Sequence, residues 1–256
     1  MSSAKLRRRV ALVTGGGRGI GRAISLAFAA EGIDVAVNYR ASVADAQATA
    51  DEIGRLGATA RIYQAAVERR EDNIAMVEKI IADFGSIDIL VHNAGIASRG
   101  RSIAQSDPEE VARLLAVHAI GPYQLTQLVL PHMRQGKRGD IIMISSVATS
   151  MLPAYGGPYS MAKAAMEALA VTLAREERAH GIRTNIVAPS LTVTDMGRRM
   201  SRAAMKVDDI HDLDAKFPFG RVSLPEDIAA VVTFLVSDRN AYVNGQRIGV
   251  DGGGRP

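Results

Sequence analysis

Tyr159, Lys163 and Ser146 are the residues of this sequence whose types and spacing could do chemistry. The tyrosine and lysine lie four apart in Tyr159-Ser160-Met161-Ala162-Lys163, and Ser146 follows the apolar run Ile141-Ile142-Met143-Ile144. The text after Tyr159, with Ala164, Ala165, Met166, Ala168, Leu169 and Ala170, favours helix, so the two side chains should project from one helical face. A phenol with a pKa of about 10 is a poor base near neutral pH, but a nearby ammonium favours the phenolate and lowers that value. Tyr159 could then exchange a proton with an alcohol or carbonyl. Ser146, at the carboxyl end of a strand, would bond the same substrate oxygen, since open α/β sheets collect ligands at that edge. Tyr-x-x-x-Lys alone is equally what an exposed helix carries as a solvated pair, so the elements that position it must decide.

Those elements alternate strand and helix. Val10-Ala11-Leu12-Val13-Thr14 leads into Gly15-Gly16-Gly17-Arg18-Gly19-Ile20-Gly21, after which Ala23, Ile24, Leu26, Ala27 and Phe28 recur as a helix requires. Glycines let a backbone approach a pyrophosphate, and the amides and dipole of the following helix attract its charge. The next strand, Asp34–Tyr39, ends on Arg40. An acid there would suit the ribose hydroxyl of NAD, whereas arginine suits the 2′-phosphate of NADP, with Arg18 as a second cation; either arginine could also simply face solvent. We therefore expect NADP(H) rather than NAD(H).

Helices are expected from about Val43 to Leu56 and from Glu71 to Phe84, with Gly57 and Gly85 just past their ends, and a strand from Thr59 to Ala65. The strand Ile87–His92 runs into Asn93-Ala94-Gly95, where Asn93 is either a turn former or a brace for the cofactor-side backbone. A long helix from Pro108 to about Arg134, interrupted near Gly121-Pro122, contains His118. Another strand, Arg183–Ala188, stops at Pro189-Ser190. Leu191–Lys216 has little strand character and carries Met196, Met200 and Met205 among basic residues, which suits a mobile substrate lid or an amphipathic helix pair. Pro225–Ser237 reads as a helix and Gln246–Val250 as a last strand. With no internal repeat or linker, residues 1–256 read as a single α/β domain with a small lid at about 191–216.

Composition removes several alternatives. The 256 residues are 47% hydrophobic and 23% charged, with a net charge of +4. The basic residues are dispersed except for Lys5-Leu6-Arg7-Arg8-Arg9, read as a solvated tail, so nucleic acid is not an expected partner. No window approaches an uninterrupted membrane-spanning length, and no membrane association is expected. The absence of cysteine excludes disulfides, thiol nucleophiles and thiolate metal sites; no metal is expected, and a cytoplasmic location fits.

Over essentially its whole length the chain resembles the short-chain dehydrogenase/reductase family. Thr14–Gly21 fits that family's T-G-x-x-x-G-x-G, and His92-Asn93-Ala94-Gly95 fits N-N-A-G with its first position altered. Ser146, Tyr159 and Lys163 fall at the family's catalytic spacing. Pro189-Ser190 resembles its Pro-Gly step, and Asn244-Gly245 with Asp251-Gly252-Gly253 resembles its C-terminal signature. Val13–Gly21 and Tyr159–Met196 look most like the 3-oxoacyl-acyl-carrier-protein reductase branch.

The resemblance implies a Rossmann-type doubly wound, seven-stranded parallel sheet with helices on both faces, commonly assembled as a homotetramer. It implies interconversion of a carbonyl and a secondary alcohol on a small-molecule substrate. It also implies cofactor contacts from Gly15, Gly17, Arg18, Gly19, Ile20, Gly21, Tyr39, Arg40, Val67, Asn93, Ala94, Gly95, Tyr159, Lys163, Pro189, Thr192 and Thr194.

Three departures qualify it. His118, in Val117-His118-Ala119-Ile120-Gly121, stands where the family has a catalytic asparagine, whose main-chain carbonyl helps hold a water linking the lysine to solvent. A carbonyl survives any side-chain change, so activity is expected, with the imidazole displacing the water, joining the relay or merely packing. Ala66-Val67 replaces an Asp-Val pair that meets the adenine, leaving Val67 to pack. Lys137 and His180 stand where carrier-protein reductases often have docking arginines, which weakens the case for an acyl-carrier substrate. Alternatives are a reductase of another small ketone, sugar or steroid, or a cofactor-binding regulator that has lost catalysis.

Overall fold

The computed structural model describes residues 7–254; Lys5 and Leu6 of the basic start lie outside the described residues. Seven parallel strands form one sheet: β1 (Val10–Val13), β2 (Asp34–Tyr39), β3 (Ala60–Gln64), β4 (Ile89–His92), β5 (Gly139–Ile144), β6 (Ile182–Pro189) and β7 (Arg247–Val250). Their spatial order is β3-β2-β1-β4-β5-β6-β7, the expected doubly wound arrangement. The principal helices are α1 (Gly19–Ala30), α2 (Val43–Arg55), α3 (Arg70–Phe84), α4 (Pro108–Leu115), α5 (Gly121–Met133), α6 (Ala148–Met151), α7 (Gly157–Glu176), α8 (Asp195–Met200) and α9 (Pro225–Val236).

Strand side chains alternate between two helix layers. Ala11, Val13, Val35, Val37, Ile89, Val91, Ile142 and Ile144 pack with residues of α1, α2 and α9. Leu12, Ala36, Leu90, Ile141, Met143 and Ile186 point the other way, onto α3, α5 and α7. A sheet buried on both faces reads as continuous apolar runs, which is how the central strands β1 and β4 and the Ile141–Ile144 run of β5 appear in the sequence. Gly57 and Gly85 take positive φ, 83° and 81°, as helix-terminating residues do.

The expected interruption of the long helix falls one turn earlier than Gly121-Pro122, as a π-helical turn over Ala116–Ile120 that contains His118. Pro122 has no N–H to give the carbonyl of His118 four residues before it, so the α ladder cannot pass through unchanged. Gly121 also lies so close to β3's exit that a Cβ there would sit 2.5 Å from the Val67 carbonyl oxygen. The Leu191–Lys216 segment contains α8, a π turn (Ser201–Met205) and a 3₁₀ stretch (Ile210–Lys216). Leu191, Ile210 and Leu213 bury against Val222 in a small apolar cluster, so the segment has a core of its own.

The solvated-tail reading fails from Arg7 onward. Arg7 pairs with Asp88 at 2.7 Å, and Arg8 donates to the Gly57 carbonyl at 2.6 Å. Arg9 donates to the Val236 carbonyl at 2.6 Å and pairs with Asp140, which Arg138 and Arg183 also approach at 3.0 and 3.2 Å. Asp140 is only 1% exposed, so it draws in whatever cations the chain can bring. Burial still wins over Arg9 and Arg138 and lifts its carboxyl to about 6. The folded state therefore holds this proton more tightly than the unfolded chain does, and Asp140's contribution to stability declines as pH rises from about 4 to about 6.

Among the described residues no helix is long and apolar enough to cross a membrane. No group of three or more His, Asp or Glu residues there could hold a metal ion. Replacing Arg9 by Ala should cost roughly 3 kcal/mol in urea unfolding, because a buried carboxylate loses a partner. A cost under about 1 kcal/mol, the value of an exposed pair, would return Arg9 to the solvated tail.

Candidate active site

Parallel strands put all their carboxyl ends on one edge, so Thr14, Asn93, Ser146 and Ser190, which follow β1, β4, β5 and β6, line a single crevice. The crevice opens at β1, where the strand order reverses between β2 and β4.

The glycine turn over β1 is tightly built. A Cβ at Gly21 would meet the Gly15 carbonyl oxygen at 2.2 Å and Asn93 Nδ2 at 2.5 Å, so only glycine lets α1 start against the turn. Asn93 is the expected brace: its Nδ2 donates to the carbonyls of Thr14 (2.8 Å) and Gly15 (3.2 Å), and the backbone amides of Asn93 and Ala94 donate to Thr14 Oγ1. Thr194 Cγ2 would lie 3.2 Å from a Cβ at Gly19, and Thr194 caps α8 by accepting from Gly197 N at 3.0 Å. The loop after β6 is thereby seated beside the glycine turn, with Pro189 and Thr192 buried behind it. A glycine cradle that side chains would fill, opening onto the N-terminus of α1, fits the pyrophosphate of a dinucleotide.

Arg40 and Arg18 do not converge on one depression. Arg40 borders a hollow with Gln64, Ala66, Glu68 and Arg69, with its guanidinium 3.6 Å from Glu68. Arg18 lies with Gly17, Gly19, Thr194 and Arg198 and faces Asp195 at 3.6 Å. Tyr39 is half-buried on β2, and Val67 is buried beyond β3. Ala66, in the place of an acid, gives its amide to Asp72 at 3.0 Å.

The α7 helix begins at Gly157 with Pro158 in its first turn, which places Tyr159 near its start and Lys163 one turn on. Ser146 is placed to hydrogen-bond the Tyr159 phenol and so favour its charged form, and Ser146 Oγ accepts from Ala148 N at 3.1 Å. Lys163 is buried, its Nζ donating to the Ile144 carbonyl at 2.6 Å and lying 5.9 Å from the centre of the Tyr159 ring.

The expected lowering of the Tyr159 pKa by Lys163 is not found. Burial pushes the phenol up to about 12, opposed by the Ser146 bond, while burial pulls the Lys163 ammonium down to about 7, opposed by Glu167. Both shifts have one cause, since desolvation disfavours the charged form of either group. In this arrangement Tyr159 is a neutral proton donor.

Residues 15–254 match the profile of a protein family described as enoyl-(acyl carrier protein) reductase. An uncharacterised oxidoreductase of Methylorubrum extorquens is 37% identical over 252 residues, 98% of this chain and all of that protein. The 3-oxoacyl-acyl-carrier-protein reductase FabG of Staphylococcus epidermidis is 36% identical over 95% of this chain and 97% of its own. The chain belongs to the short-chain dehydrogenase/reductase family. Solved structures agree: levodione reductase superposes with a TM-score of 0.90 at 28% identity, covering 96% of each chain. Acetoin dehydrogenase YohF from Salmonella typhimurium gives 0.86 at 30% identity, covering 96% of this chain and 95% of that one. As a short-chain dehydrogenase/reductase, the protein is an oxidoreductase acting on CH–OH groups, in a family that works with a nicotinamide cofactor.

His118 lies within the π turn over Ala116–Ile120. The imidazole is buried, with Nε2 2.9 Å from the Ile96 carbonyl oxygen, and its ring meets Tyr159 edge-on at 5.4 Å. Nδ1 is buried without a partner, which suits a neutral ring that donates through Nε2. Gly95 makes room for it: a Cβ there would lie 2.7 Å from His118 Cε1. Burial, with Lys163 adding to it, drives the His118 pKa down to about 3.

The sequence reading missed Asn38. Its Oδ1 accepts from Gly15 N at 3.2 Å, its carbonyl from Gly16 N at 2.9 Å, and its Nδ2 donates to Tyr63 and Ala65, so it hangs the glycine turn on β2 and β3. A lone amide in an otherwise apolar strand was the available signal.

His118 is expected to stay neutral from pH 8 down to pH 5, with no imidazolium signature in its ring ¹⁵N shifts. A midpoint near the ordinary value of about 6.5 would return it to the proton relay.

Proposed function

We propose that this oxidoreductase reduces the carbonyl of a 3-oxoacyl thioester with NADPH, or runs the reverse alcohol oxidation. The observation that carries the reading is the convergence of the Ser146 hydroxyl, the neutral Tyr159 phenol and the Lys163 amine at the crevice beside the glycine cradle. The nicotinamide, when bound, supplies the hydride. Ser146 holds and polarises the carbonyl oxygen, and Tyr159 gives its proton to that oxygen as it gains negative charge. Lys163 would hold the cofactor's ribose, and the charge it carries when protonated favours the phenolate left after transfer. His118 keeps the Gly95-Ile96 backbone in place and packs on the Tyr159 ring, a positioning role.

The glycine cradle and Thr194, with Asn93 bracing the turn and Thr192 supporting the loop behind it, would hold the cofactor, and Arg40 would meet its 2′-phosphate. Substrate entry lies over the turn before α7, where Leu152 and Tyr155 are 68% and 64% exposed with φ of 45° and 64°. Backbone held in that region at a site is often functional, and apolar side chains there suit an acyl chain. FabG relatives support the thioester. The levodione reductase and acetoin dehydrogenase neighbours support a second reading, reduction of a small ketone. NADPH consumption with acetoacetyl thioesters against small ketones decides between them.

Tyr159→Phe should lower turnover by at least about 10²-fold while leaving NADPH affinity unchanged. Retained turnover would remove the assigned acid. Arg40→Asp should move the NADPH-over-NADH preference by on the order of tenfold or more towards NADH, as a charge-assisted bond is lost. An unchanged preference would remove Arg40 from the phosphate site.

A further inference from the structure

A polar network lies behind Ser146 that the reaction above does not use. Glu167 stands one turn after Lys163 on α7, and Arg247 opens β7 at the edge of the sheet. Arg247 Nε donates to Glu167 Oε1 at 3.0 Å. The same carboxylate oxygen accepts from Ser145 Oγ at 2.6 Å and Thr149 Oγ1 at 2.8 Å. On its other side the guanidinium reaches the turn itself, Nη2 donating to the Ser146 carbonyl at 3.1 Å and to Thr149 Oγ1 at 2.9 Å. Both charged side chains are largely withdrawn from water, at 17% and 22% exposure.

The sheet side of this turn is already pinned, Ser145 N donating to Val187 O at 2.7 Å and Val147 N to Pro189 O at 3.0 Å. The helix side has the ion pair. An exposed pair would contribute little, but here Ser145 and Thr149 donate to the carboxylate while the guanidinium donates to the Ser146 carbonyl and to Thr149. The planar fork of arginine bonds the carboxylate through Nε and the backbone through Nη2 in fixed directions, a spread that a lysine's single nitrogen does not reproduce.

We propose that Glu167 and Arg247 are positioning residues for Ser146: they clamp the Ser145–Thr149 turn so that the Ser146 hydroxyl faces Tyr159, which makes β7 part of the reaction site although it contributes no group that touches the substrate. The inference rests on the reading that Ser146 bonds the reacting oxygen. Misplacement of such a group by about 1 Å can cost on the order of 10²-fold in rate.

The test is a double-mutant cycle on turnover in the NADPH-consumption assay. Arg247→Met should lower kcat by about tenfold or more with NADPH affinity unchanged, and Arg247→Lys should recover only part of the loss. In a Ser146→Ala background, whose residual turnover no longer depends on the hydroxyl, Arg247→Met should change kcat by less than about twofold. Thr149→Val, which keeps the branched shape and removes the hydroxyl that meets both Glu167 and Arg247, is carried through the same cycle and tests the clamp even if Arg247→Met folds poorly. Equal losses in both backgrounds, or no loss in the wild type, would overturn the positioning role. Full turnover in Ser146→Ala alone would instead remove Ser146 from the reaction, and with it the reading beneath the inference.

Discussion

Lys163 is a buried amine held by one backbone carbonyl, and much of the crevice can be understood from what it takes to keep it there. Burial disfavours its charge, and among the groups acting on it only Glu167, one turn along the same helix, restores that charge. Glu167 is not free to approach: Ser145, Thr149 and Arg247 hold it, so it acts at a distance while its hydrogen bonds go to the turn that carries Ser146. Other ionisable groups nearby respond to the same dry surroundings. His92 and His118 are both driven down to about 3 by burial with Lys163 adding to it, and Tyr159 is driven up. A site with neutral imidazoles and a neutral phenol leaves Lys163 as the group whose charge is most open to change near neutral pH.

That dryness is a property of the fold before it is a property of the site. β5 is buried from Gly139 to Ile144 and delivers Ser145 and Ser146 at its end, while α7 covers it with Ala162, Met166 and Ala170. Small and unbranched residues on that helix face let it lie close to the sheet, so the lysine stem runs down to the Ile144 carbonyl. The π turn packs against α7 from the other side and brings His118 to the Tyr159 ring. Its presence follows from Pro122 and Gly121, whose missing N–H and missing Cβ are chemical facts of the sequence.

The alternation of strands and helices was legible because it rests on local periodicity, whereas the seven-stranded parallel sheet was implied by the family resemblance. The spacing from Ser146 to Tyr159 and Lys163, and the glycine turn, were legible for the same reason, since each sits within one strand-to-helix unit. What escaped is non-local. Arg9 meets Asp140 across 131 positions, and Arg247 meets Glu167 across 80, and neither pairing leaves a periodic trace. The Tyr159 shift was misjudged because sequence reports a lysine four residues away but not the dryness around both side chains, and desolvation outweighed proximity. Lys137 and His180, weighed as docking residues, fall near the starts of β5 and β6, at the opposite end of those strands from Ser146.

The far end of the crevice obeys a different balance, because it is wet. Arg40 is 62% exposed and stands 3.6 Å from Glu68, so its charge is already shared with an acid that solvent screens only in part. A 2′-phosphate arriving there would compete with Glu68 for one guanidinium, and the more highly charged partner gains more from the contact. An unphosphorylated ribose would leave the Arg40–Glu68 pair undisturbed. On the proposed NADPH reading, discrimination between the two cofactors would be set by the difference between two arginine pairings rather than by Arg40 alone. Ala66, where the family resemblance leads one to expect an acid, would work in the same direction, since it leaves one negative charge fewer around an incoming phosphate.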